Sequence, residues 1–219
     1  MVIDPPRTQT LPDQVFLSTI AGSNPQLTGW PVWLDSRSFT DLQSRPKVTD
    51  RAWEVLIVSL EDWSHHIDFY RLDPKGEFYL WRNLQDDVSD KIKPGTLLEP
   101  IIVILRVTEA IAVGLSIAKA LTQDVETTRL GFAFRWKKLK GRKLEPWANS
   151  GVIPISAFEA AHDDEVTTYI ETSLDTPTSA IAPLVDQATQ DLFVLFGGFR
   201  FPVQSTENWV QKLLERKVL

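Results

Sequence analysis

The longest apolar run in the chain, Ile101 to Leu121, limits the architectures open to everything around it. As a helix it would be long enough to cross a bilayer. It carries Arg106, Glu109 and Lys119, each costly at the hydrocarbon centre, so it reads as buried structure of a soluble core and no membrane partner is expected. From Leu105 to Leu121 almost every helical face is apolar. Such a helix must be covered on more than one side, which predicts that it lies across a sheet with further structure on its other flank. Arg106 and Glu109, three residues apart, can pair on its one polar strip. Just upstream, Thr96 to Val103 holds Pro100 and several branched residues, which suits an edge or buried strand better than a helix interior.

The strands appear as bounded stretches rich in β-branched and aromatic residues. Trp53 to Leu60 reads as a mostly buried strand. Ile67 to Leu72 and Glu77 to Arg82 flank Asp73-Pro74-Lys75-Gly76, where proline presets one torsion and glycine tolerates a positive φ, so the pair predicts a hairpin. In Thr127 to Trp136, Leu130, Phe132, Phe134 and Trp136 share one face while Arg129 and Arg135 fall on the other, giving a strand with one wet side. Glu165 to Leu174 is the next strand. Thr178 to Phe196 is the second main helix, stopped by Gly197-Gly198, and Ser205 or Thr206 is expected to cap a last amphipathic helix reaching Lys217.

Between these elements the chain reads as connection. Residues 1 to 13 hold Asp4-Pro5-Pro6 and Pro12 and predict a flexible leader with no folded element. Val15 to Thr49 reads as an irregular segment pinned by aromatics, its apolar pieces too brief for helices, and Asn83 to Gly95 as a loop. The fold class that follows is α+β: a mostly antiparallel sheet of about five or six strands, with the two main helices on one face and a helix at the carboxy end. It is expected as a single domain over residues 14–219.

A hydrophobic share of 43% over 219 residues is enough for a sizeable core. The formal charge of −6 argues against coating nucleic acid through a net field, and leaves room for a local basic patch. With no cysteine, disulfides, thiolate zinc sites, iron–sulfur clusters and cysteine nucleophiles are excluded. The amino terminus lacks a basic region followed by an apolar stretch, so no signal peptide is read and a cytoplasmic location is expected. There is no phosphate loop, dinucleotide turn or nucleophile elbow, which removes the commonest ATPase, dehydrogenase and hydrolase readings. The eight tryptophans, at 30, 33, 53, 63, 81, 136, 147 and 209, suit recognition better than turnover.

The sharpest local candidate is the run Arg135, Trp136, Lys137, Lys138, Leu139, Lys140, Gly141, Arg142 and Lys143, with Trp147 just beyond. Its cations could neutralise phosphates while indole rings stack on unpaired bases, the way single strands are held without base-specific bonds. A charged hairpin tip that keeps a sheet edge from aggregating would look the same. Trp30 and Trp33, held by Pro31, could wall an aromatic pocket or plug the end of the sheet. Asp86, Asp87, Asp90 and Glu99 could bind magnesium for phosphodiester cleavage, or Arg82 and Asp86 could brace a loop. His65 and His66 fall on opposite faces of a strand, so only His66 and Asp68 could converge on a metal, a thin set, and His162 to Glu165 reads as solvated charge, so no metal or other cofactor is expected.

Read in order, Thr28-Gly29-Trp30-Pro31, Phe69-Tyr70-Arg71 with Gly76-Glu77-Phe78-Tyr79, Arg82 to Asp87, Arg106-Val107-Thr108-Glu109-Ala110 and Leu139 to Leu144 form a set that resembles the carboxy-terminal portion of bacterial Schlafen-like proteins. The similarity spans about residues 16–200. Nothing in the chain resembles the AlbA-type nucleic-acid-binding domain that precedes this portion in that family. The resemblance implies an accessory module working with a nucleic-acid-directed partner, in regulation or antiviral defence, and it supplies no active site.

The function expected is therefore a noncatalytic sensing or interaction module that binds a partner protein or nucleic acid through Arg135, Trp136, Lys137, Lys138, Lys140, Arg142 and Lys143, with Trp30 and Trp33 as a further aromatic surface. One alternative is a metal-dependent nuclease using acidic residues around Asp86 and Asp87. Another is a structural dimerisation domain, a homo-oligomer using the last helix from Trp209 to Leu214.

Overall fold

The computed structural model describes residues 1–8, 11–61, 64–148 and 159–218; Trp63 lies outside the described residues. In chain order the elements are β1 (Val2–Asp4), α1 (Gln14–Ser23), β2 (Lys47–Thr49), β3 (Ala52–Glu61), β4 (Ser64–Asp73), β5 (Glu77–Arg82) and β6 (Leu97–Leu98). They continue with α2 (Pro100–Leu121), β7 (Arg129–Lys137), β8 (Lys143–Leu144), β9 (Glu165–Ser173), α3 (Ile181–Val194) and α4 (Val203–Leu214). The fold is α+β. Seven strands form one mostly antiparallel sheet in the order β2-β3-β4-β5-β1-β7-β9, and β6 pairs in parallel with β8.

The described chain divides into two compact units, one of residues 1–83, 112–132 and 171–176, the other of 84–111, 133–170 and 177 onward. In the first, β3, β4 and β5 make a meander whose register sets Val55 beside Tyr70 and Leu72 beside Phe78, all buried. The tight turn is the one the sequence predicts: Gly76 N–H donates to the Asp73 carbonyl at 2.9 Å. Gly76 sits at φ +104, and a Cβ there would stand 2.9 Å from Ile3 Cβ, so glycine is needed for both torsion and space.

Ile3 marks the first correction. Residues 1–13 were expected to lack any folded element, yet Val2–Asp4 lies between β5 and β7, with Ile3 N–H donating to the Gly76 carbonyl at 3.0 Å. A three-residue strand carries no readable periodicity, and its pairing partners are distant in sequence. Without it, β5 and β7 would face each other with unpaired backbone groups, which is costly in a buried setting. Arg7 secures the same segment by donating to the Pro74 carbonyl at 2.7 Å and the Leu121 carbonyl at 3.0 Å.

The segment read as irregular contains α1, capped by Asp13, whose carboxylate accepts from Phe16 N–H at 2.8 Å. Phe16, Leu17 and Ile20 are spaced to bury one helical stripe, so a short helix forms where apolar triplets looked too brief. The extra strands β1 and β2, each three residues long, take the sheet past the five or six expected.

In the second unit the expected strand from Thr96 to Val103 shrinks to Leu97–Leu98, and the helix starts at Pro100. Proline is well placed at a first helical position, where its missing N–H would have had no partner. The buried Glu99 supplies the cap, its carboxylate accepting from Ile102 N–H at 2.5 Å. Two thirds (67%) of the most apolar window of α2 is buried inside the protein. Arg106 and Glu109 pair at 3.2 Å as their spacing predicts.

The second main helix also forms as expected, and Gly197 and Gly198, at φ +65 and +77, end it. The final helix begins earlier than expected, at Val203 after Pro202. Ser205 and Thr206 are inside it, their N–H groups donating to the Pro202 carbonyl, and Thr206 faces the core with Trp209, Val210 and Leu213. Side-chain capping by Ser205 or Thr206 is thus replaced by backbone closure.

Candidate functional site

The basic run occupies the end of β7 and the turn into β8, in the second unit. Its geometry is set by a residue that sequence reasoning counted among the surface contacts. Arg142 is 1% exposed, so its guanidinium is withheld from any external ligand. It donates to Asp87 Oδ2 at 2.6 Å, to the Leu97 carbonyl at 2.9 Å and to the Lys138 carbonyl at 2.6 Å. Backbone bonds close the same turn: Leu139 N–H to the Asp164 carbonyl at 2.9 Å, Gly141 N–H to the Ala161 carbonyl at 2.8 Å, and Arg142 N–H to the Leu139 carbonyl at 3.0 Å. Lys138 and Gly141 take positive φ, +62 and +84, and the Leu139 side chain is fully buried.

Lys137, Lys138, Lys140 and Lys143 are left exposed around this anchored turn, and none of them is in a salt bridge among the described residues. Arg135 is exposed but engaged, its Nη2 donating to both carboxylate oxygens of Glu165 at 2.8 Å. The arginine holds the Glu165 carboxyl below its usual range. Trp136 is half-buried and stacks on Phe134 at 6.0 Å. Trp147 is half-buried, its indole N–H donating to Asp86 Oδ1 at 2.8 Å.

Of the acidic candidates, Asp90 is exposed, whereas Asp86, Asp87 and Glu99 are used internally. Asp86 is buried, and the oxygen that accepts from Trp147 also accepts from Glu99 N–H at 2.8 Å. Burial raises its pKa, against the opposing pull of those two hydrogen bonds. Asp87 also loses hydration, but the bond from Arg142, the Gly95 N–H at 2.8 Å and the arginine charge outweigh that and lower its pKa. Glu99 caps α2. These carboxylates therefore serve as acceptors for arginine, indole and amide donors within the fold, and among the described residues no three histidine or acidic side chains converge as a metal-holding group. The brace expected between Arg82 and Asp86 is instead two separate braces.

Arg82 belongs to the first unit's brace. Its Nε and Nη2 grip Asp68 at 2.8 and 2.6 Å, and Nη2 also donates to the Pro31 carbonyl at 3.1 Å. Trp30 completes the cluster, its indole N–H donating to Asp68 Oδ2 at 2.8 Å and its ring stacked on His66 at 4.2 Å. His66 and Asp68 are thus held by an indole and a guanidinium. Trp33 is buried against Phe78 at 5.5 Å, and its indole N–H has no partner among the described residues. The cavity it lines with Leu17, Ile20 and Tyr70 is about 20 Å³, room for about one water. Trp30 thus acts as a brace and Trp33 as a plug, and the cavity beside Trp33 is too small for a flat ligand.

A surface that sequence reasoning missed lies on the first unit's sheet. Trp53, Val55 and Ile57 are buried, but Leu56, Val58 and Leu60, between and beyond them on β3, are exposed, as are Tyr79 and Trp81 on β5. The strand read as mostly buried is covered on one face only. The visible signal was the alternation itself, masked because both faces are apolar.

No protein-family model, no curated protein and no solved structure matches this chain.

Proposed function

We propose that the chain is a noncatalytic interaction module that engages an anionic partner, single-stranded nucleic acid first, through Lys137, Lys138, Lys140 and Lys143 beside Trp136. The observation that carries this reading is the buried Arg142, which locks the turn while leaving four cations in solvent. A pre-ordered array loses less conformational freedom on binding than a flexible lysine tail would. It is consistent with the accessory role that the Schlafen-like resemblance implies. Arg135 and Arg142 leave the contact set expected from sequence, the first because it serves Glu165 and the second because it is internal.

Fluorescence anisotropy with labelled single-stranded DNA and RNA at low salt tests the proposal. Four phosphate contacts predict a log–log salt slope of roughly −3 for single strands. Changing all four lysines to glutamate should weaken binding more than ten-fold, whereas Trp136→Ala should weaken it without changing the slope. Equal binding by wild type and the four-lysine variant would overturn the reading.

A further inference from the structure

We infer that the open face of the first unit's sheet is the interface between two copies of this chain. Register sets Leu56, Phe69 and Trp81 side by side across β3, β4 and β5, with Val58 beside Ile67 in the next row. Alternation turns these side chains away from the core, which receives Val55, Tyr70 and Phe78 from the same three strands. Leu56, Val58, Leu60, Tyr79 and Trp81 are 47–66% exposed. Half of five such side chains comes to on the order of 600 Å² of apolar surface, the upper end of what a monomer leaves uncovered.

The face carries little charge to recruit a nucleic acid. Its ion pair, Arg71 with Glu54 at 2.6 Å, is closed within the chain, and Arg71 also donates to the Thr49 and Asp50 carbonyls. The face's other charges, Lys47 opposite Glu54 and Glu77 opposite Asp73, lie with that pair at one end of the strands, so the rows of Leu56 and Val58 beyond them call for an apolar partner.

A second copy meets that need by symmetry. β4 runs between an aliphatic strand, bearing Leu56, Val58 and Leu60, and an aromatic one, bearing Tyr79 and Trp81. A two-fold axis parallel to β4 and between two facing sheets lays the aliphatic row of each copy over the aromatic row of the other, an isologous contact. Together the two faces remove roughly 1,200 Å² from water, the lower end of the range for specific stable interfaces. The area and the self-matching rows select a reversible homodimer.

Sedimentation equilibrium from low micromolar to near-millimolar protein tests this independently of the lysine reading. The wild type should pass from 24.8 kDa towards twice that mass as concentration rises. Leu56→Glu and Trp81→Glu should each raise the dimer dissociation constant at least ten-fold, while Val203→Glu, on the exposed surface of α4, should leave it unchanged. Thermal melts at low concentration check that the variants fold, and Val58→Thr with Trp81→Ser carries the same test if a glutamate does not. A wild type that stays at 24.8 kDa throughout overturns the inference and leaves the face to a different apolar partner. A dimer that the folded Leu56 and Trp81 variants leave intact overturns it as well.

Discussion

Arg142 and Asp87 stand 55 positions apart in the chain and meet at 2.6 Å, the arginine buried and the aspartate still reached by solvent. The pair pins the turn that presents the four lysines. Asp87→Asn would leave a buried guanidinium without its counter-charge, and is expected to cost about 2 kcal/mol, below the cost of breaking a fully enclosed pair because water reaches the site. Urea denaturation of the variant at neutral pH measures this, and an unchanged midpoint would contradict the anchoring role.

Asp86 and Asp87 respond to pH in opposite directions. Asp87 has a lowered pKa, so its contribution is present above the ordinary carboxylate value and is lost as pH falls through the native one. Asp86 has a raised pKa, so its ionisation weakens the fold as pH rises from the ordinary value through the native one. Its accepting oxygen survives in Asp86→Asn. That variant should therefore be as stable as the wild type or more so at pH 7, and lose any advantage below about pH 4. Paired pH–stability curves would show it, and marked destabilisation at pH 7 would contradict it.

Among the described residues Arg82 is the one arginine paired with Asp68, whose side chain is 1% exposed. Removing it leaves a buried carboxylate with, among the described residues, the Trp30 indole N–H as its side-chain donor, so Arg82→Ala should cost about 3–5 kcal/mol. Combined with Asp68→Ala the total should fall well short of the sum of the two single effects, as a double-mutant cycle would show. Additive losses would mean that the two side chains act separately.

Gly114 lies inside α2, where alanine ordinarily gains up to about 1 kcal/mol of helix propensity. Here an added Cβ would stand 2.7 Å from the Phe132 ring and 2.6 Å from Met1 Sδ. The methionine can swing aside, but the buried ring cannot readily do so. Gly114→Ala should therefore be net destabilising, by about 1–3 kcal/mol, as overpacking costs outweigh the propensity gain. A raised melting temperature would show that the ring gives way.

The elements legible in the sequence were those written in local pattern. The turn at Asp73 to Gly76, the one-sided strand bearing Leu130 and Phe132, and the apolar helix with its Arg106–Glu109 pair all depend on neighbours a few residues away. α1 was missed because its apolar stripe is only three residues long. The beginning of α2 was misread because Pro100 fits both an edge strand and a first helical turn. The candidate site was half legible: four lysines and Trp136 are where the run placed them, but Asp86 and Trp33 proved to be buried, and the half-buried Trp147 and Trp30 commit their indole N–H groups to Asp86 and Asp68.

By itself, the sequence determined the α+β class, the hairpin and a core helix too apolar to be left uncovered, since burial of periodic apolar stripes is a local demand. Tertiary structure alone decided that Val2–Asp4 completes the sheet, that Arg142 is an anchor, and that Leu56, Val58 and Leu60 face out while Val55 and Ile57 face in. The physical reason is common to all three. Which side of a strand is covered, and which charge meets its counter-charge, depends on residues brought together from distant parts of the chain, and composition or spacing carries no record of that meeting.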